Sequence, residues 1–302
     1  MKYTHSMEPP RYRIAESNPI YCASGAPAPD RSKIAQKLMV DAITKSDWSS
    51  LQFHFMIDWR HVENPLVGPL IVRYILSTEA NNPSVQDIDL IAREEHIWER
   101  IASIMAATSR PVLGIILFDT PVVTAGSPIW VLRLSGEEKI VEEQTTSWIR
   151  QLVTEYSGPT SLMGQKGLTI GMSRAECHLA SSGIIFPGDA DALLMWRGQP
   201  KLIVEFKSHN IAAPLLAHDV GRYYPRPDAR KWNGLKSLAQ GLGTRGNVPL
   251  AVFYYSTVKD ETRLAIVNPT GTNITTEWDS GVTGQSSFGA MLRGFLTRLE
   301  GG

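Results

Sequence analysis

Residues 187–207 read PGDADALLMWRGQPKLIVEFK. This stretch holds two apolar runs, residues 190–196 and 202–206, which are rich in residue types that favour β-strands. Between the runs, Gly198 and Pro200 are typical turn residues. The sequence therefore predicts an antiparallel β-hairpin, in which the start of the first strand lies beside the end of the second.

Charged residues stand at the open end of this predicted hairpin. Side chains two apart on a strand point to the same face, so Asp189 and Asp191 are expected to share one face of the first strand. Glu205 and Lys207 are expected to share one face of the second strand for the same reason. Crowded carboxylates repel one another, and a cation such as Mg²⁺ or Mn²⁺ relieves that repulsion by binding their oxygens. The spacing thus predicts a metal site with Lys207 beside it.

The hairpin resembles the PD-(D/E)XK motif of restriction-endonuclease-like nucleases. Asp191 precedes Glu205 by fourteen positions, and Glu205-Phe206-Lys207 forms the second half of the motif. Over residues 138–256, the predicted order of helix, strands, hairpin, helix and strand is similar to the αβββαβ core of that family. The resemblance therefore implies an α/β fold with a nuclease-like core in the C-terminal half.

The identity of the motif aspartate is open between two residues. Asp189 lies two positions after Pro187, whereas the family pattern has proline and aspartate adjacent. The spacing to Glu205 and the apolar residues that follow Asp191 favour Asp191 as the principal ligand. Asp189 is then expected to support it.

The resemblance implies a metal-dependent hydrolysis of phosphodiester bonds, with DNA as the expected substrate. The implied ligands of Mg²⁺ or Mn²⁺ are Asp191, Glu205 and the backbone carbonyl of Phe206. Lys207 is implied to position or deprotonate the attacking water. Family members often add an acidic residue from an earlier helix, for which the sequence offers three candidates, each also explained as a solvated charge: Glu143, Glu155 and Glu176.

Two alternatives compete with the nuclease hypothesis. The Glu-x-Lys pattern is common, since residues 137–139 also fit it, so the hairpin could simply carry ordinary strand-end charges. A second alternative is a non-catalytic module that keeps the nuclease fold for nucleic-acid binding or complex assembly. The presence of Asp191, Glu205 and Lys207 together favours the enzyme.

A basic segment follows the hairpin. Residues 201–250 contain 8 Lys or Arg against 3 Asp or Glu, although the whole chain has 30 of each. Residues 222–236 combine five basic and three aromatic residues, a composition that suits phosphate contact and base stacking. A helix with a basic solvated face explains the same composition. The predicted nucleic-acid contacts are Arg222, Arg226, Arg230, Lys231 and Lys236.

The chain of 302 residues is predicted to form three parts. Residues 1–30 are rich in proline and are expected to be an extended arm without structure of its own. Residues 31–136 are expected to form a separate α/β domain of unknown role. Residues 137–302 are expected to form the nuclease-like domain, which begins with a helix at 137–156.

Cysteine content and hydropathy bear on the surroundings of the protein. Cys22 and Cys177 are expected to be two unpaired thiols in a reducing compartment, which favours a cytoplasmic location. No stretch is apolar for the ~18 residues that a membrane span needs, so no membrane partner is predicted. The resemblance is compatible with a homodimer or a larger defence or repair assembly.

Overall fold

A computed structural model describes residues 12–14, 19–44, 46–56, 70–78, 83–118, 120, 122–157, 170–181, 188–223, 229–242 and 247–300. Within these residues the strands are β1 Tyr12–Ile14, β2 Ile20–Tyr21, β3 Trp48–Met56, β4 Leu70–Thr78, β5 Val112–Phe118, β6 Pro128–Ser135, β7 Glu138–Thr145, β8 Ile170–Gly171, β9 Gly188–Trp196, β10 Gln199–His209, β11 Leu250–Ser256, β12 Thr262–Thr270 and β13 Asn273–Asp279. The helices are α1 Ser32–Ile43, α2 Val85–Glu94, α3 Ile97–Thr108, α4 Thr146–Ser157, α5 Arg174–Ser181, α6 Val220–Tyr223, α7 Ala229–Leu242 and α8 Gln285–Glu300. The mixed α/β class predicted from the sequence is confirmed.

One large sheet organises the molecule. Its strands run in the order β13-β12-β11-β10-β9-β3-β4-β5-β6-β7, and β1 adds to β4 outside this path. Most neighbours are antiparallel, but β10 runs parallel to β11 and β4 runs parallel to β5. Each parallel pair is joined through a connection that contains helices, as parallel strands require.

The hairpin predicted from residues 187–207 is present as β9 and β10. Arg197 and Gly198 form its turn, both with positive φ, of 49° and 77°. This backbone conformation matches a two-residue turn whose twist fits that of the flanking strands, and glycine adopts it without steric cost. The side chains of β10 then alternate, with Val204 packed on one face of the sheet and Ile203 on the other.

The sheet crosses the predicted domain boundary. β3, from the predicted N-terminal domain, pairs with β9 from Trp48 opposite Trp196 to Met56 opposite Gly188. A single hydrophobic cluster on one face extends from Trp98 of α3 to Trp232 of α7. The boundary at residue 136 lies in the turn of the β6–β7 hairpin and does not separate two cores.

The opposite face of the sheet is covered in two places. Helices α1 and α8 pack over the half that contains β9 to β12, and their buried residues include Met39 and Phe288. Helices α4 and α5 pack over the half that contains β5 and β6, through residues such as Val153 and Leu179. The result is a three-layer arrangement of helices, sheet and helices.

The segment 137–156 corrects one prediction. Its first part is the strand β7, which pairs with β6 along its whole length, and only residues from Thr146 onward are helical. The helical spacing of apolar residues begins at Ile149, whereas residues 137–145 carry no such pattern. Residues 85–108 form two helices, α2 and α3, and His96 adopts a left-handed conformation between them, with φ 53°.

The N-terminal arm is another correction. β1 pairs with the end of β4, and β2 pairs with β8, so the arm takes part in two sheets. Cys22 forms a disulfide with Cys177 of α5, 155 residues later. The prediction of two unpaired thiols is therefore wrong, and the cytoplasmic location loses the argument that supported it. Sequence spacing could not show this contact, because a disulfide depends on the fold bringing distant residues together.

Close packing across β5 gives a first testable prediction. A Cβ atom on Gly114 would lie 2.9 Å from Ile101 Cδ1 and 3.2 Å from Leu132 Cβ. We expect Gly114→Ala to lower the free energy of unfolding by about 1–3 kcal/mol, because the neighbours must shift to accept the methyl group. Urea denaturation measures this loss.

A matched control lies in the nearby turn. At Gly126 the nearest atom to an added Cβ is Thr124 Oγ1 at 3.9 Å, so Gly126→Ala should leave stability within about 0.5 kcal/mol of the wild type. Equal stability of the two variants would contradict the packing of α3 and β6 around Gly114.

Candidate active site

The carboxylates of β9 and β10 lie close together at the open end of the hairpin. Val204 stands opposite Ala192 in the strand pairing, so Glu205 follows at the level of Asp191. Asp191 Oδ2 accepts a hydrogen bond of 2.6 Å from the backbone N–H of Phe206. The predicted convergence of these residues is therefore present in the structure.

An irregularity in β9 helps to place Asp191. Leu51 of β3 pairs with Leu193, but Phe53 pairs with Ala190, so β9 holds one extra residue between these pairs. Such a bulge breaks the strict alternation of faces and re-aims the side chains within it. Simple two-residue spacing on the strand therefore does not determine where Asp191 points, and its bond to Phe206 shows that it turns toward β10.

Glu205 is the centre of the cluster. Its side chain is 2% exposed, and its Oε1 accepts a hydrogen bond of 2.8 Å from Lys207 Nζ. Glu205 Oε2 is buried and receives no hydrogen bond within the described part of the chain. A buried carboxylate oxygen without a donor is costly, so this atom marks a position where a cation or a substrate group would be stabilised.

Lys231 enters the cluster from the first turn of α7. Its Nζ lies 2.6 Å from Asp189 Oδ1 and 2.5 Å from Glu205 Oε1. The residue that follows it, Trp232, is fully buried and fixes this end of the helix against the sheet. The sequence predicted Lys231 as a phosphate contact, whereas in the structure it contacts the carboxylates.

The electrostatic surroundings shift the pKa values of the two aspartates of the cluster in opposite directions. Burial and the neighbouring charge of Glu205 raise the pKa of Asp191 well above its usual value. Partial burial acts in the same direction on Asp189, but Lys231, Lys207 and a backbone hydrogen bond together outweigh it and lower the pKa of Asp189. Burial favours the neutral amine of Lys231, yet the surrounding carboxylates, Asp189 first, raise its pKa well above the usual value. Of the two aspartates, Asp191 is thus the one whose charge is less compensated by its neighbours.

The other predicted basic contacts have different surroundings. Arg222 is exposed, with its guanidinium 5.4 Å from the centre of the Tyr223 ring. Lys236 Nζ donates a hydrogen bond of 2.7 Å to the carbonyl oxygen of Pro269, which attaches α7 to β12. Arg226 lies outside the described residues, and Arg230 is described only by its place in α7. Contact of these residues with nucleic acid stays a prediction.

The three candidates for an additional acidic residue differ in burial and in their contacts. Glu143 is exposed on the strand β7, and Glu155 is exposed on α4. Glu176 of α5 is buried, forms an ion pair with Arg73 of β4 and accepts a hydrogen bond of 2.6 Å from the N–H of Met172. Only Glu176 is therefore placed as part of an internal polar network.

Sequence reasoning missed Arg73. Burial lowers its pKa to about 10, and the charge of Asp189 opposes that effect, so Arg73 connects Glu176 electrostatically to the carboxylate cluster. The available signal was an arginine inside the apolar run of β4, between Val72 and Tyr74. A charged residue in such a run is rarely buried unless it is paired.

A buried histidine pair lies beyond Lys207 along β10. His209 Nδ1 is 3.2 Å from His218 Nδ1, and His209 Nε2 is 2.8 Å from the carbonyl oxygen of Ala213. Because a carbonyl only accepts, His209 Nε2 carries the proton, and in the neutral pair His218 Nδ1 donates to His209 Nδ1. Burial first, and then the neighbouring His209 and Lys207, lower the pKa of His218.

This shift gives a prediction for stability against pH. Arg263 also lowers the pKa of His218 and Asp219 raises it, with a net decrease in the folded state. The unfolded state therefore takes up the proton first as pH falls below about 6.5, so the stability due to neutral His218 is present above that pH and is lost below it. We expect the contribution of His218 to the free energy of unfolding, measured by urea denaturation as the difference between the wild type and His218→Gln, to be smaller at pH 5.5 than at pH 7.5. The raised pKa of Asp191 acts in the opposite direction but is common to both proteins.

Variants identify the histidine responsible. His218→Gln should reduce the dependence of stability on pH, because its amide does not titrate. His96→Gln, at an exposed position between α2 and α3, should keep the wild-type dependence. A His218→Gln profile as steep as the wild type would assign the effect to other groups.

The fit of a divalent metal rests on two carboxylates. Within the described ranges, no group of three or more His, Cys, Asp or Glu side chains is arranged to hold a metal ion. Mg²⁺ is commonly bound through only one or two carboxylates together with water and substrate oxygens. Asp191 and the uncompensated Oε2 of Glu205 meet that requirement. The residues present therefore fit Mg²⁺ or Mn²⁺ as an open site, not as a closed protein cage.

Comparisons with known proteins add no functional assignment. No protein-family description and no curated protein matches the chain. Among solved structures, the crystal structure of the sex pheromone staph-cAM373 precursor aligns with 88% of this chain and 84% of its own at 10% identity, with a TM-score of 0.18. A TM-score that low supports no argument about fold or function. Across the described residues, no helix is both long and apolar enough to cross a membrane.

Proposed function

We propose that the protein is a metal-dependent nuclease that hydrolyses phosphodiester bonds, with DNA as its substrate. The observation that carries the proposal is the meeting of Asp191, Glu205 and Lys207 at the open end of the β9–β10 hairpin. These residues stand in the order and spacing of the PD-(D/E)XK motif. The proposed metal is Mg²⁺ or Mn²⁺, with Asp191, Glu205 and the carbonyl of Phe206 as ligands.

The order of elements around the hairpin supports the proposal. The elements α1, β3, β9, β10, α7 and β11 follow the order helix, three strands, helix, strand of the αβββαβ core. They are also neighbours in space, since β3, β9, β10 and β11 are adjacent in the sheet. This assignment starts the core at α1 and not at residue 138, and treats residues 57–187 as an insertion between its first two strands.

The residues of the site suit the hydrolysis of a phosphodiester. Asp191 and Glu205 would hold the divalent ion, which would supply Lewis-acid polarisation of a phosphoryl oxygen. Lys207 is held 2.8 Å from Glu205 and is 14% exposed, so its ammonium reaches the edge of the site while its orientation is fixed. It can orient a water or stabilise the charge that develops on phosphate. Exposed Arg222 is available to neutralise a phosphate of the bound strand.

One observation favours the non-catalytic alternative. The ammonium groups of Lys207 and Lys231 already contact the same oxygen of Glu205. A cluster that neutralises itself needs no metal for stability, which is compatible with a nuclease-fold module that binds nucleic acid or assembles with partners. Activity in the presence of metal distinguishes the two functions.

The deciding experiment measures cleavage of linear, circular and single-stranded DNA and of RNA, with Mg²⁺, with Mn²⁺ and with a chelator. We expect metal-dependent cleavage of DNA that Glu205→Gln abolishes. Glu142→Gln, at an exposed ion pair with Arg133, is the matched control and should cleave like the wild type. Absence of cleavage on every substrate, or cleavage by Glu205→Gln at the wild-type rate, would overturn the nuclease assignment.

A further inference from the structure

Lys231 places its ammonium group beside the carboxylates that are proposed to bind a metal ion. Its ammonium contacts Glu205 and Asp189 at 2.5 and 2.6 Å, and its side chain is only 20% exposed. Helix α7 holds the backbone of Lys231 in place, because Trp232 and Leu235 are completely buried against the sheet. Lys231 is therefore built into the site as an internal cation.

We propose that Lys231 is the resident counter-ion of the carboxylate cluster, and that a divalent cation binds by displacing its ammonium from Glu205. This inference deepens the proposed function and rests on the metal site named there. It goes beyond the motif, because Lys231 lies outside the hairpin and reaches the cluster from a different element, α7.

The contacts of Glu205 explain why displacement is required. Its Oε1 receives Lys207 at 2.8 Å and Lys231 at 2.5 Å, so both lone pairs of that oxygen are occupied. The other oxygen of Glu205, Oε2, is buried and has no hydrogen-bond donor among the described residues. A divalent ion at Oε2 would be placed next to two ammonium groups in a poorly solvated site, where like charges repel strongly.

Lys231 is the ammonium group that can leave. Lys207 lies two residues from Glu205 on the same strand, so its backbone fixes it near that carboxylate. Lys231 instead reaches the cluster through a flexible four-carbon chain, and its other partner, Asp189, is 48% exposed. Lys231 can release Glu205 and remain on Asp189 at the edge of the site.

The test measures metal affinity and not activity. Isothermal titration with MnCl₂ at constant pH compares the wild-type chain with Lys231→Met, which removes the charge and keeps most of the apolar chain. We expect Lys231→Met to bind Mn²⁺ at least about tenfold more tightly, because the ion no longer competes with a resident charge. Lys231→Arg, which retains the charge, should not gain this affinity.

Lys236→Met is the matched control. Lys236 lies on the same helix five residues later, but its ammonium contacts the carbonyl of Pro269 and not the carboxylates. Its Mn²⁺ affinity should equal that of the wild type. If Lys231→Met loses the wild-type circular dichroism spectrum, Lys231→Gln replaces it, since a neutral amide retains hydrogen bonding to Asp189.

The outcomes separate this inference from the proposed function. If the wild type binds Mn²⁺ and the uncharged Lys231 variants bind it equally or more weakly, competition is overturned while the metal site stands. If none of these proteins binds Mn²⁺, competition is also overturned, and the cleavage assay decides the nuclease assignment separately. Tighter binding by Lys231→Met without any DNA cleavage would support the competition and reject the nuclease.

Discussion

Lys207→Met is expected to slow metal-dependent DNA cleavage by about 10²–10⁴-fold, the loss typical of removing a group that transfers or orients a proton. The substitution keeps the apolar chain and removes only the ammonium. The fold should survive, because Lys231 still contacts Glu205 at 2.5 Å and compensates its charge. A buried carboxylate left without any partner would cost much more stability.

Single-turnover cleavage rates measure this effect, with thermal denaturation as the check on folding. Lys207→Arg keeps the charge but not the geometry of the ammonium, so it should recover part of the rate at most. Lys259→Met is a suitable control, because Lys259 lies in the turn between β11 and β12, 3.8 Å from Glu261 and outside the site. A folded Lys207→Met variant with the wild-type rate would remove Lys207 from the mechanism.

The second large effect concerns the disulfide. The double variant Cys22→Ala/Cys177→Ala is expected to lose about 2–4 kcal/mol of stability, because the bond closes a long loop that is otherwise open in the unfolded chain. The bond joins residues separated by 155 positions and ties the N-terminal segment to α5. Urea denaturation of the oxidised wild type and of the double variant measures the difference.

A reducing agent supplies the control. It should destabilise the wild type by a similar amount and leave the double variant unchanged, because the variant has no disulfide to reduce. Titration of thiols in the denatured, unreduced protein should find none, since Cys22 and Cys177 are the only cysteines. Two reactive thiols, or equal stability of the wild type with and without reductant, would contradict the bond.

The same bond bears on the environment of the site. Cys177 is adjacent to Glu176, which is buried and paired with Arg73. The charge of Asp189 acts on Arg73, so Glu176 and Arg73 link the surroundings of the disulfide electrostatically to the carboxylates. Stability measurements on the double variant should therefore be accompanied by its Mn²⁺ affinity, which reports whether the loss extends to the site.

Local pattern was sufficient for much of the C-terminal half. The apolar runs of β9 and β10 and the turn at Gly198 were predicted close to their observed bounds. Each depends on residues within a few positions of one another, where strand propensity, alternation and turn chemistry act together. The pairing of these strands also brings Asp191, Glu205 and Lys207 to one end of the hairpin without help from the rest of the chain.

Other features required contacts between residues far apart in sequence. Sequence pattern could not show that β3 pairs with β9, which unites the two predicted domains in one sheet. The strand β7 has weak propensity of its own and is stabilised by pairing with β6. Strand formation of this kind depends on the partner more than on intrinsic preference, so periodicity alone predicted a helix.

Within the site, the sequence by itself determined the motif hairpin and the types of charge at its open end. The tertiary structure decided how those charges are balanced. Lys231 reaches Glu205 from α7, Asp189 acts on Arg73 of β4, and Asp191, beside the bulge in β9, turns toward Phe206. Ion pairs between separate elements depend on distances of a few ångströms, which only the packing of helices against the sheet sets.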